Sequence, residues 1–78
     1  MARLVLFAQA RECAGTREAV VGGATVGEVL DAAVALYGPR FADVLGFSAV
    51  WLNGDPTDPT QIVGEGDEVA VLPPVSGG

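Results

Sequence analysis

Seventy-eight residues make one domain, near the size at which a single hydrophobic core is only just sufficient, and the hydrophobic half of the chain argues against disorder. Ten acidic residues face four arginines and no lysine, a net charge of −6 that disfavours nucleic acid as a partner through phosphate contacts. One cysteine excludes an internal disulfide and fits a reducing cytoplasm; with no histidine and no carboxylates at ligand spacing, no metal site is expected.

In chain order, Arg3 to Ala8 is expected as a strand, and its apolar run is too short for a signal peptide or a membrane span. Gln9 to Thr16 is small and polar with Gly15 as a turn signal, which predicts a loop. Arg17 to Val21 predicts a second strand that forms a hairpin with the first. Thr25-Val26-Gly27-Glu28 has the form of a capping box, in which the Thr25 hydroxyl accepts from the Glu28 amide and the Glu28 carboxylate reaches back to the Thr25 amide. Val26, Val29, Leu30, Ala33, Val34 and Tyr37 recur at helical spacing, so a helix over residues 26–37 is expected, ended by Gly38 and Pro39.

A single turn is expected around Phe41 to Leu45, then a third strand from Phe47 to Asn53, then a turn at Asn53-Gly54-Asp55-Pro56. The stretch from Asp58 to Gly66 is irregular, with a brief strand near Gln61-Ile62-Val63, and Glu68 to Leu72 forms the last strand. One amphipathic helix must cover one face of a mixed sheet, which makes this an α+β two-layer domain. The first and last strands are expected to pair in parallel at its centre.

Residues 1–72 then form the domain, and residues 73–78, Pro73-Pro74-Val75-Ser76-Gly77-Gly78, an extended tail. Glycine is 11 of 78 residues, so a terminal Gly-Gly is weak evidence by itself. The two prolines strengthen it, because proline fixes φ, cannot donate to a sheet ladder and sends the chain out extended. Six residues span roughly 20 Å, enough to enter a deep pocket on another protein. Gly-Gly threads a narrow channel and leaves the terminal carboxylate unhindered.

The element order, the capped helix and the tail together resemble the β-grasp (ubiquitin-like) fold, and more narrowly the sulfur carriers of the MoaD/ThiS group. Three stretches carry the match: Leu4-Val5-Leu6-Phe7-Ala8-Gln9-Ala10-Arg11-Glu12-Cys13-Ala14-Gly15, Thr25-Val26-Gly27-Glu28-Val29-Leu30, and Gly66 through Gly78. The double proline before Val-Ser-Gly-Gly is the most specific piece and tilts the resemblance toward the MoaD branch.

The resemblance implies that a MoeB-type, E1-like adenylyltransferase uses ATP-Mg to adenylate the Gly78 carboxylate, and that a persulfide donor converts it to a thiocarboxylate. It further implies a MoaE-type large subunit of molybdopterin synthase that accepts the tail, with sulfur passing to cyclic pyranopterin monophosphate. This chain itself would bind no cofactor, and catalytic side chains would come from the partner. Carriers for thiamin thiazole or cysteine synthesis, a ubiquitin-like modifier joined to target lysines, and a plain interaction domain remain open as alternatives. No lysine in this chain can capture its own activated carboxyl group.

Strand alternation adds a docking expectation. If Leu4, Leu6, Val50, Leu52, Val69 and Val71 face the helix, then Val5, Phe7, Trp51 and Leu72 face outward. Phe7, Trp51 and Leu72 then form an apolar patch beside the tail, of the kind that marks an interface. A one-residue slip in the third strand would instead put Trp51 in the core. Tyr37 and Phe41 read as core or helix-end packing. Cys13 reads as an ordinary half-buried thiol sooner than a sulfur relay. Asp55, Asp58, Glu65, Asp67 and Glu68 read as solvated loop charge or as a contact to a basic partner rim, and Arg11 as a further partner contact.

Overall fold

The computed structural model describes residues 1–74. Five strands and three helices follow one another as β1 (Ala2–Leu6), α1 (Ala8–Ala14), β2 (Glu18–Val21), α2 (Val26–Tyr37), α3 (Pro39–Leu45), β3 (Ala49–Leu52), β4 (Asp55–Pro56) and β5 (Glu68–Leu72). The sheet order is β2-β1-β5-β3-β4. β1 and β5 pair in parallel at the centre, with Leu4 opposite Val69 and Leu6 opposite Val71, and every other pairing is antiparallel. This is the expected α+β, β-grasp arrangement of a mixed sheet under one main helix.

The local chemistry explains the elements. Thr25 Oγ1 accepts from the Glu28 N–H at 3.2 Å, and the Glu28 carboxylate accepts from the Ala24 N–H at 3.0 Å. The reciprocal bond thus reaches one residue further back than the expected Thr25 amide, to the N–H of the residue before the cap. Gly38 closes α2, donating its N–H to Val34 O at 2.8 Å, and Pro39 then opens α3 as its first residue, where a missing N–H costs nothing. Asn53 and Gly54 both have positive φ (50° and 87°), the geometry of the tight hairpin turn between β3 and β4. Pro56 sits opposite Trp51 on this edge strand. Trp51 directs its backbone to β5, so the absent proline N–H removes no ladder bond.

Four expectations are corrected. The Gln9 to Thr16 loop is the helix α1, so β1 ends at Leu6 and does not reach Ala8. Ala, Gln, Arg and Glu are good helix formers, and Gly15 at φ 76° caps the end; only Ala10 is buried, so no apolar stripe announced it. The single turn at Phe41 to Leu45 is a two-turn helix. The third strand is shorter than Phe47 to Asn53, because Phe47 and Ser48 bond back to Val44 and Leu45 of α3. The brief strand near Gln61 to Val63 reduces to an isolated bridge between Thr25 and Ile62.

The core lies between the sheet and the helices. Leu4, Leu6, Val69 and Val71 from the two central strands, Val26 and Val29 from α2 and Phe41 from α3 are its largest fully buried side chains. Val50 and Leu52 pack against it from the side, and the Tyr37 and Phe41 rings meet at 5.3 Å between centroids. One close approach is decisive: a Cβ on Gly23 would lie 2.7 Å from the Val29 backbone nitrogen, whereas one on Gly22 would find ordinary contact at 3.7 Å. G23A should therefore cost about 1–3 kcal/mol in urea unfolding, and G22A no more than about 0.5 kcal/mol.

Candidate functional site

Two features converge at one end of the sheet: the exit of β5 toward the tail, and an apolar outer face. The register lines up Val5, Ala70, Trp51 and Pro56 across four neighbouring strands on the face opposite the helices. Trp51 is 37% exposed and Phe7 46% exposed, while Val5 and Leu72 are half-buried. Trp51 is therefore on the outer face and not in the core. Ala70 is only 8% exposed although it points outward, because Val5 and Trp51 on either side overhang its single methyl group.

Phe7 continues the line of β1 in extended conformation, and its N–H donates to Val71 O at 3.2 Å. It thus stands beside Leu72, at the end of the strand from which the tail departs. Pro73 is buried and Pro74 is exposed. Val75, Ser76, Gly77 and Gly78 lie outside the described residues, so the expectations for them are carried by sequence. Phe47 and Val20, 53% and 66% exposed, are further surface apolar residues that strand assignment did not single out. Phe47 lies two residues ahead of β3 at the tail end of the sheet; the odd-numbered spacing Phe47, Ala49, Trp51 was the available signal.

The opposite end of the outer face is polar. Arg3 hydrogen-bonds the Glu68 carboxylate, and its Nε lies 3.2 Å from Glu18 Oε1. The bond to Glu68, then the charges of Glu68 and Glu18, hold the guanidinium protonated above its usual range. Beyond it, Asp67 accepts from the Gly64 N–H at 2.8 Å and from Asn53 Nδ2 at 3.1 Å, while Asn53 Oδ1 accepts from the Glu68 N–H at 2.9 Å. These bonds clasp the β3–β4 turn to the start of β5. They stabilise the Asp67 carboxylate and hold its pKa below the ordinary aspartate range, the Gly64 amide contributing most. Asp58 is lowered likewise by the Thr60 hydroxyl and amide.

No group of three or more His, Cys, Asp or Glu residues at metal-binding spacing occurs among the described residues, and no described helix is long and apolar enough to cross a membrane. Cys13 is half-buried and lines a recess of about 380 Å³ between α1 and α3 with Gln9, Glu12, Arg40 and Asp43. A second, more apolar recess of about 370 Å³ lies between α2 and β3 beneath Trp51, Pro56 and Pro59.

Comparison with known proteins bears on this site. The model of the ThiS family matches residues 4–78. The molybdopterin synthase sulfur carrier subunit of Arabidopsis thaliana is 34% identical over 79 residues, covering 97% of this chain and 81% of that protein. Small archaeal modifier protein 1 of Haloferax volcanii is 39% identical over 83 residues, covering 94% and 95%. Its crystal structure superposes with a TM-score of 0.83 over 99% of this chain and 98% of that one. A chain of the complex of subunits 1 and 2 of the molybdopterin-converting factor from Helicobacter pylori matches at 23% identity with a TM-score of 0.72, covering 99% and 97%, which shows the shared fold.

The Asp67 clasp yields a pH prediction. Its folded pKa is depressed, so its contribution is complete above the unfolded value and is lost as the pH falls through the folded one. D67N should be less stable than the parent at neutral pH. The difference should shrink as the pH falls below about 4, read from thermal midpoints across a pH series.

Proposed function

Because this chain belongs to the ThiS family of MoaD/ThiS-type sulfur carriers, we propose that it carries sulfur as a thiocarboxylate on Gly78 and donates it within molybdopterin synthase. The observation that carries the reading is the family match running through Gly78 together with a tail that leaves the central strand β5 beside exposed Phe7 and Trp51. A carboxylate is a poor electrophile and an acyl adenylate a good one, so adenylation by a MoeB-type enzyme with ATP-Mg splits one hard step into two easier ones. The outer sulfur of a persulfide donor then displaces AMP to give an acyl disulfide, and a second thiol of the donor cleaves its S–S bond, leaving the thiocarboxylate on Gly78 and a disulfide on the donor.

In this reading the chain is a small non-catalytic subunit. Its Pro73-Pro74-Val75-Ser76-Gly77 segment delivers Gly78 into a MoaE-type large subunit, which supplies the catalytic side chains for transfer to cyclic pyranopterin monophosphate. Phe7, Trp51 and Leu72 serve as the docking face. Pro-Pro-Val-Ser-Gly-Gly and the similarity to the Arabidopsis thaliana sulfur carrier subunit favour this pathway over thiazole or cysteine synthesis. The 39% identity to small archaeal modifier protein 1 favours a second reading, in which the same activated carboxyl group is joined to lysines of other proteins.

Intact mass after incubation with a MoeB-type adenylyltransferase, ATP-Mg and a persulfide donor should rise by about 16 Da, sulfur replacing oxygen. An unchanged mass would sink the carrier reading. Deleting Gly78 should abolish the gain and leave the thermal midpoint in place. Lysine adducts bearing this chain in cells, with no rescue of molybdopterin formation, would decide for the modifier.

A further inference from the structure

We propose that the recess of about 380 Å³ lined by Val5, Leu6, Phe7, Arg11, Arg17 and Glu18 is a docking subsite for an acidic side chain on the protein that receives the tail. The inference rests on the carrier reading above and adds to it the charge of the partner. In a chain of net charge −6 with four arginines, the placement of those arginines is informative. Arg3 is engaged by Glu18 and Glu68. Arg40 shares a separate recess with Glu12 and Asp43. Arg11 and Arg17 make no ion pair among the described residues, and both are exposed on the same recess. Its one acid, Glu18, already shares its charge with Arg3 at 3.2 Å. The recess is therefore net positive on an acidic molecule.

Its position is fixed by backbone. Leu6 N–H donates to Arg17 O at 2.8 Å, which holds Arg17 against the end of β1, and Phe7 N–H donates to Val71 O, which ties the same point to β5. Arg11 and Arg17 thus share one recess with Phe7 at the end of the sheet where β5 ends. Along the sheet, Asp55, Glu65 and Asp67 surround the start of β5 at the other end, so the unpaired arginines of this recess and those acids lie at opposite ends of the central strands. Such an arrangement orients an approaching partner as well as attracting it.

The occupant is a carboxylate, and specifically one presented beside an apolar side chain. Two guanidinium forks match a carboxylate in bidentate geometry, and Val5, Leu6 and Phe7 offer apolar contact continuous with the outer face. A phosphate would be favoured by free backbone N–H donors, but the Leu6 and Phe7 amides are already spent on Arg17 and Val71. An exposed ion pair contributes little in water; burial of the recess under a docked partner strengthens it.

The test measures the Kd of the purified full-length chain for the MoaE-type large subunit of the same genome over a series of salt concentrations. R11E and R17E should each weaken binding about tenfold or more and flatten its salt dependence. R17Q, which removes charge without reversing it, should give a smaller loss in the same direction. R40E makes the same change of net charge in the other recess and should stay within about twofold of the parent. Circular dichroism melts confirm that each variant folds. Equal effects of R17E and R40E, or none from R11E and R17E, would overturn the subsite. So would inorganic phosphate or AMP shifting the Arg11 and Arg17 side-chain NMR signals while leaving those of Arg40 in place. If the parent itself gains no sulfur in the mass assay, the carrier reading has failed and not the recess.

Discussion

The parallel pairing of β1 with β5 is the constraint on which the remaining structure depends. Parallel neighbours cannot be joined by a tight turn, so the chain between Leu6 and Glu68 must cross over and return. That crossing segment supplies α2, whose apolar stripe covers Leu4, Leu6, Val69 and Val71, the central-strand side chains that are wholly buried. It also supplies β3, which pairs on the free side of β5 and makes the last strand a central one. The consequence for function is positional. A tail leaving a frayed edge strand would have a wandering origin. This one leaves a strand hydrogen-bonded on both sides, at a point set by Phe7 on one flank and Ala49 on the other.

The Asn53–Asp67 clasp protects that arrangement from the opposite end. The β3–β4 turn needs positive φ at both central residues, and Asn53 meets this demand while its side chain bridges to Asp67 and Glu68. One residue thus closes a hairpin and ties the turn to the beginning of β5. The same end of the molecule carries the exposed acids, and the tail end carries Phe7, Arg11 and Arg17. Apolar surface and unpaired arginines are thereby gathered at the tail end of the sheet, away from the clasped acids.

Much of this was legible because it rests on local rules. The Thr25 cap, the 3.6-residue spacing and Gly38 define α2 to the residue, and Glu68 to Leu72 is bounded by Gly66-Asp67 and Pro73-Pro74. What escaped was decided by tertiary contact or by elements with little apolar signal. α1 buries only Ala10, so nothing in its periodicity distinguished helix from polar loop, although its residues favour helix intrinsically. Ile62 lies in an apolar-looking run yet is 78% exposed, because Val63 alone turns into the core and the backbone bonds to Val26 and Ala24 before a second strand can develop. The side of Trp51 could be read from alternation only if the register was right. The Arg11–Arg17 recess could not be read at all, since it depends on α1 bringing Arg11 back over β1.

A sulfur carrier faces a physical difficulty that this fold addresses. In the proposed role the terminal carboxyl group would be threaded into successive partners, and a long unconstrained tail would spend conformational entropy each time. Docking through the outer face first would turn threading into an intramolecular event, with an effective concentration set by the distance between that face and the tail root. Here that distance is as short as the sheet allows, because Leu72 belongs to the face and directly precedes the tail. Proline at positions 73 and 74 removes further backbone freedom before binding, and burial of Pro73 moves the effective root of the tail to Pro74. Weak, exposed contacts at the rim are then sufficient, and they suit a carrier that must leave one protein to meet the next.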